Sequence, residues 1–164
     1  MNEPTKKSGL PTWVIVLIVV VVAGPIVLGI FSALAIYGVR KYMMNAKRAE
    51  ATAALTGWSK GMVACGEKDG LPPTSPQVPA SLGSVSGMKY QSAAAEWSDA
   101  AFACSGFSMS GPQYFTYQWV QASPSEGSML AQADLDGDGT AEQRFDVRIS
   151  CTAGRCAASS LAAP

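Results

Sequence analysis

The sequence predicts an α+β fold: one long N-terminal α-helix, with a small antiparallel β-sheet packed on its second half. Three observations predict it. Residues 13–39 are almost pure hydrocarbon, longer than the about 20 residues a bilayer core needs as helix. From Met44 onward apolar side chains recur three and four apart, the helical period. The last third of the chain then alternates apolar and polar residues in short aromatic and β-branched runs, the period of strands.

Residues 1–12 read as a short tail carrying Glu3, Lys6 and Lys7. Within 13–39 the single clearly polar side chain is Ser32. The apolar core of a cleavable signal peptide spans about 7–15 residues, so this run is too long, although Ser32-Ala33-Leu34-Ala35 offers an acceptable small-residue cleavage site. A soluble domain this small cannot cover a helix that is apolar all round. The run is therefore read as a single-pass transmembrane anchor embedded in membrane lipid. Gly24-Pro25 lies mid-span, where proline frees a backbone carbonyl and neighbouring helices compensate. Gly24, Gly29, Ala33 and Gly38 are candidate helix–helix packing positions, because small residues let backbones approach in lipid.

Residues 40–66 continue the same helix in amphipathic form. Met44, Ala51, Leu55, Trp58, Met62 and Cys65 form one stripe, interrupted at Arg48. The stripe suits a core face for a sheet, or a contact face for neighbouring copies, with Ala46, Ala49, Ala53 and Ala54 close by. Gly66 and Gly70 are expected to stop the helix. A domain over 67–156 follows. LPPTSPQVP at 71–79 excludes helix and most strand pairing, so it is expected to wrap the surface as a loop. A weak helical turn is expected around 92–101, with Trp97 in the core. Strands are expected at 114–120, 128–133 and 144–150, with 123–127 as a turn. Such strands need a covering layer, which the helical stripe supplies, leaving the other sheet face in water. Residues 157–164 read as a disordered tail.

Charge and composition exclude several function classes. The 164-residue chain has zero net charge and no histidine. The first conceals a mildly acidic domain, six Lys/Arg against ten Asp/Glu after Glu50, which has no basic face for nucleic acid. The second removes His-based triads, HExxH zinc sites and other His-ligated metals. No G-x-S-x-G elbow occurs, and Glu96 with Asp99 reads as a solvated helical face rather than an acid/base pair. No enzymatic activity is expected.

The four cysteines are Cys65, Cys104, Cys151 and Cys156. An even count behind a membrane segment points to disulfides and an oxidising compartment. The alternative, a four-thiolate zinc site, wants two close pairs, and here there is one. Cys65–Cys104 with Cys151–Cys156 is the favoured pairing, since CTAGRC can fold back over Gly154. Orientation signals conflict. Arg40, Lys41, Lys47 and Arg48 after the apolar run outnumber Lys6 and Lys7 before it, which favours a cytosolic domain. The cysteines favour the opposite side, and they are the weightier signal.

Between the last two expected strands lies Asp134-Leu135-Asp136-Gly137-Asp138-Gly139-Thr140-Ala141-Glu142. The D-x-D-x-D-G spacing turns alternate carboxylates inward, and Gly139 permits a sharp turn. Asp134, Asp136, Asp138, a carbonyl near Thr140 and Glu142 make a candidate calcium shell of oxygens. The alternative is a plain hairpin loop built on Asx turns. Phe145 stands where an EF-hand loop would place its bidentate Glu.

Taken together, these residues resemble bacterial type IV pilins and pseudopilins. The resemblance is carried by the apolar helix running through ALAIYGVRKYMMNAKRAEATAALTGW and by VPASL, KYQS, FSM, PQYFTYQW and ADLDGDGT, at 78–82, 89–92, 107–109, 112–119 and 133–140. It implies a long N-terminal helix carrying an antiparallel sheet. It also implies a single-pass bacterial inner-membrane protein with its domain in the periplasm, and partners among pilin-like subunits or pilus and secretion assembly proteins. Some pseudopilins hold calcium in the sheet-side loop, which strengthens Asp134, Asp136 and Asp138 as ligands. One departure stands out. Lys6-Lys7-Ser8-Gly9-Leu10 resembles a prepilin cleavage site, but Val14 occupies the position where the family carries Glu, and no acidic residue lies within 10–38.

Overall fold

The computed structural model describes residues 11–162, without the Arg40 side chain. The expected tail 1–12, except its last two positions, and the cleavage-like motif at 6–10 lie outside them. Helix α1 spans Thr12–Asp69, three residues beyond the expected 40–66 extension. Gly66 lies inside the helix, and Gly70, in the left-handed region at φ +84°, ends it.

The chain divides into two compact units, Met1–Met43 and Met44–Pro164. In the first, α1 carries exposed apolar side chains such as Ile15, Leu17, Val20, Leu28, Phe31 and Ile36. α1 is a helix long and apolar enough to cross a membrane.

The second unit holds the core. Ala51, Leu55, Trp58, Met62 and Cys65 are all buried, and Met44 packs at their margin. Facing them is a four-stranded antiparallel meander in the order β1-β2-β3-β4: β1 Thr116–Ser123, β2 Glu126–Ala133, β3 Gln143–Thr152 and β4 Arg155–Ala158. The register sets Tyr117 opposite Ala131 and Ala131 opposite Phe145; it likewise aligns Trp119, Met129 and Val147. These six side chains share one buried face, as period-2 alternation requires. Trp119 lies over Gly127, where any Cβ would strike its ring.

Between helix and sheet run two short 3-10 turns, Leu82–Val85 and Ala94–Trp97, and helix α2, Ala100–Ser105. Trp97 and α2's Phe102 join Trp58, Phe107 and Tyr117 in an aromatic cluster; Trp58 stacks on Phe107 at 4.4 Å, and Trp97 meets Phe102 edge-on at 5.0 Å. The Trp58 indole N–H donates to Ser105 Oγ at 2.8 Å. Gly61 lets α1 touch the Ser105 carbonyl, into which a Cβ would collide.

The loop at 71–79 runs beside β1. Val78 exchanges main-chain bonds with Tyr117, the Ser75 N–H donates to the Trp119 carbonyl while its hydroxyl accepts the Trp119 N–H, and the Trp119 indole donates to the Pro72 carbonyl at 2.8 Å. Prolines lack the N–H a ladder needs, so the intervening Thr74, Ser75 and Val78 make the contacts and cover this sheet edge.

Residues 157–164 are not a free tail as far as they are described. Ala157 and Ala158 belong to β4, Ser159 bonds Arg148, and Ala162 pairs with Asp146. The hairpin closed by Cys151–Cys156 delivers these residues onto the open edge of β3, so ladder bonds form despite a sequence poor in strand formers. Glu96 and Asp99 are not merely solvated: Glu96 accepts from the Ala93 N–H and the Tyr90 hydroxyl, and Asp99 caps α2 through the Ala101 N–H.

The disulfides join Cys65 to Cys104 and Cys151 to Cys156, the pairing favoured by spacing. The first ties the far end of α1 to α2.

Candidate cation site

β2 ends at Ala133 and β3 begins at Gln143, and these two buried residues pair directly. The neck of the acidic loop is thus fixed by the last rung of the ladder, and residues 134–142 must close over a single strand spacing. Gly137 and Gly139, at φ +86° and +90°, take left-handed conformations that side-chain-bearing residues resist.

Asp134 is fully buried. Its Oδ1 accepts from the N–H groups of Gly137 at 2.7 Å and Asp138 at 3.2 Å. Its Oδ2 accepts from the Ser86 hydroxyl at 2.6 Å and the Gly139 N–H at 2.9 Å. The Ser86 bond above all, assisted by the three amides and opposed by burial, holds this carboxyl below its usual range. With two donors on each oxygen, its carboxylate chiefly builds the loop, and a cation would have to displace one of these donors to use it.

The other carboxylates are less occupied. Asp136 Oδ1 accepts from Asp138 N–H, and Asp138 Oδ1 from Thr140 N–H at 2.7 Å. Among the described residues no donor reaches their second oxygens. Glu142 Oε2 accepts from Leu135 N–H at 2.8 Å, while its Oε1 is buried with no partner. Burial, and then the neighbouring Asp136, push the Glu142 pKa up. A buried carboxylate oxygen without a donor is costly in the charged form, and a cation relieves that cost.

One carboxylate oxygen from each of Asp134, Asp136, Asp138 and Glu142 lies within 4.8 Å of the other three. Oxygens around calcium sit at about 2.3–2.6 Å, so opposite ligands are separated by about 5 Å at most. The donor set is all hard oxygen and fits calcium. Thr140 is exposed, and its N–H serves Asp138.

Two contributors were invisible in the sequence. Ser86 and Gly87, from the loop after the first 3-10 turn, clamp Asp134 by its side chain and, through the Gly87 N–H, by its carbonyl at 2.9 Å. Nothing local to Ser86 marks it; the contact spans 48 positions. Glu50 is the other. Its Oε1 accepts the Tyr114 N–H at 2.8 Å, pinning α1 to the approach of β1.

The packing positions proposed for the apolar half have room around them. A Cβ at Gly24, Gly29 or Gly38 would meet nothing within 4 Å, and Ala33 is exposed.

Compared with known protein families, curated proteins and solved structures, the chain gives no match. The architecture, one long N-terminal helix with a small antiparallel sheet, is pilin-like in the general sense; the family resemblance itself rests on the residues.

Proposed function

We propose that this protein is a non-enzymatic binding module, held to a membrane through α1, whose acidic loop is ordered by calcium to present a recognition surface. The observation that carries it is the convergence of four carboxylate oxygens within 4.8 Å, one residue among them bearing a buried oxygen without a donor. The two disulfides support a location outside the cytosol, with residues 13–39 in the lipid. Calorimetry of the detergent-solubilised chain tests the loop. Calcium at millimolar concentration or below gives a saturable heat that Asp136→Ala and Glu142→Gln diminish. Absence of that heat leaves the loop a plain turn.

A second reading is a subunit of a type IV pilus or secretion pseudopilus in the bacterial inner membrane. It is favoured by the long helix bearing an antiparallel sheet and by the open surroundings of Gly24, Gly29 and Gly38, where another subunit's helix could lie. Against it stands the absence of an acidic residue within 10–38, since a buried N-terminal charge in a filament core needs a partner. Mass spectrometry of purified filaments decides: the chain must be present, with a new N-terminus at Leu10.

A further inference from the structure

We infer that the lip formed by Met88, Lys89 and Lys47 docks on anionic lipid headgroups. This rests on the reading of residues 13–39 as membrane-embedded and names lipid as the surface the module meets.

Within the unit that begins at Met44, Met88 is the large apolar side chain left exposed among the described residues, at 62%. Its exposure is imposed. The Gly87 N–H is bound by the Asp134 carbonyl, and Tyr90 exchanges both main-chain bonds with Gln113. Met88 and Lys89 are therefore presented between two fixed points, and neither of their own N–H groups has a partner among the described residues.

Beside them the Lys47 and Lys89 ammonium groups each lie 4.8 Å from the centroid of the Tyr114 ring. Lys47 also reaches the Leu135 carbonyl at 3.4 Å, so this lip adjoins the acidic loop. Neither lysine has a carboxylate within ion-pair distance among the described residues; Glu50 acts on Lys89 only at longer range. Two ammonium groups at an amphipathic ring, with an exposed apolar side chain one residue before Lys89 in the chain, complement a phosphate-bearing surface with an apolar interior. Lys47 follows Val39 by eight residues of chain, so the tether keeps such a surface within reach. The exposed Asp136 and Asp138 oppose the approach, and a cation in their loop lowers that repulsion.

The test uses the full chain in lipid nanodiscs, made of phosphatidylcholine alone or with phosphatidylglycerol, in millimolar calcium, read by amide hydrogen exchange. In discs with phosphatidylglycerol, exchange at Met88 and Lys89 slows about fivefold for each lysine engaged, and Lys47→Gln with Lys89→Gln removes the slowing. Met88→Ser reduces the slowing. Unchanged protection of β2 and β3 amides shows that the variants fold. Equal exchange in the two kinds of disc, or protection that survives loss of both lysines, overturns the proposal. A chain that fails to enter discs overturns the anchor as well. A calcium response at 134–142 is read separately, so the loop and the docking fail independently.

Discussion

Asp134 and Glu142 share one loop yet titrate in opposite directions, because one is saturated with donors and the other is short of them. Asp134 stays ionised well into acid, and the stability it lends is present above the ordinary carboxylate range, declining as pH falls through its lowered value. Glu142, raised by burial, takes up a proton more readily. Because calcium needs it ionised, affinity is expected to fall as pH drops through its raised value, while Asp134 remains charged. Calorimetric titrations at descending pH check this; Glu142→Gln removes the pH dependence together with most of the affinity. Glu50 gives a second residue-level prediction. Burial raises its pKa against the pull of the Tyr114 N–H, so its contribution to stability is full at low pH and is lost as pH rises through the folded value. Glu50→Gln keeps an acceptor for Tyr114 and removes the charge. It is expected to stabilise the fold at neutral pH, where the buried charge is removed, and to leave stability unchanged in acid. Glu50→Ala strands the amide and costs about 1 kcal/mol. Chemical denaturation at two pH values separates the variants.

At the scale of elements, the contact of α1 with α2 depends on the missing side chain at Gly61. Gly61→Val forces a branched group into the Ser105 carbonyl and is expected to cost about 3 kcal/mol, the upper end for overpacking. Loss of the Trp58–Ser105 bond would appear as a shifted indole signal. The bridge from Cys65 to Cys104 closes a separation of 39 residues at the same place. Removing it as a Ser pair lowers stability by about 4 kcal/mol in the chain-entropy model, whereas the Cys151–Cys156 pair, separated by 5 residues, is worth about 2 kcal/mol. These elements also show what could be read beforehand. The stripe Ala51, Leu55, Trp58, Met62 and Cys65 was legible because its period is local, and so were Phe145, Val147 and Ile149. β4 was not, since RCAA has little strand propensity and pairs only because a five-residue bridge folds it back on β3. The acidic loop was legible as a carboxylate cluster, through its spacing. Its division of labour was not: the donors that commit Asp134 include Ser86, brought there by tertiary packing.

For the whole molecule, the distribution of buried residues argues that stability and anchoring reside in different parts of one helix. Among the described residues every buried core residue lies at or after Ala51, although α1 begins at Thr12. The apolar half therefore adds no protein core among these residues; on the proposed anchor reading, what it contributes is transfer into lipid, at about 25 cal/mol for each Å² of apolar surface removed from water. A chain starting at Met44 is accordingly expected to be water-soluble, to form both disulfides and to unfold within about 2 °C of the full chain in detergent, a difference below about 0.5 kcal/mol for a domain of this size. Scanning calorimetry with non-reducing mass analysis reads both properties. A Met44 chain that melts many degrees lower would place part of the folding energy in the apolar half. A full-length chain that stays monomeric without detergent would remove the membrane from the account altogether, since side chains such as Leu28, Phe31 and Tyr37 are two-thirds exposed and need lipid, or another helix, to leave water.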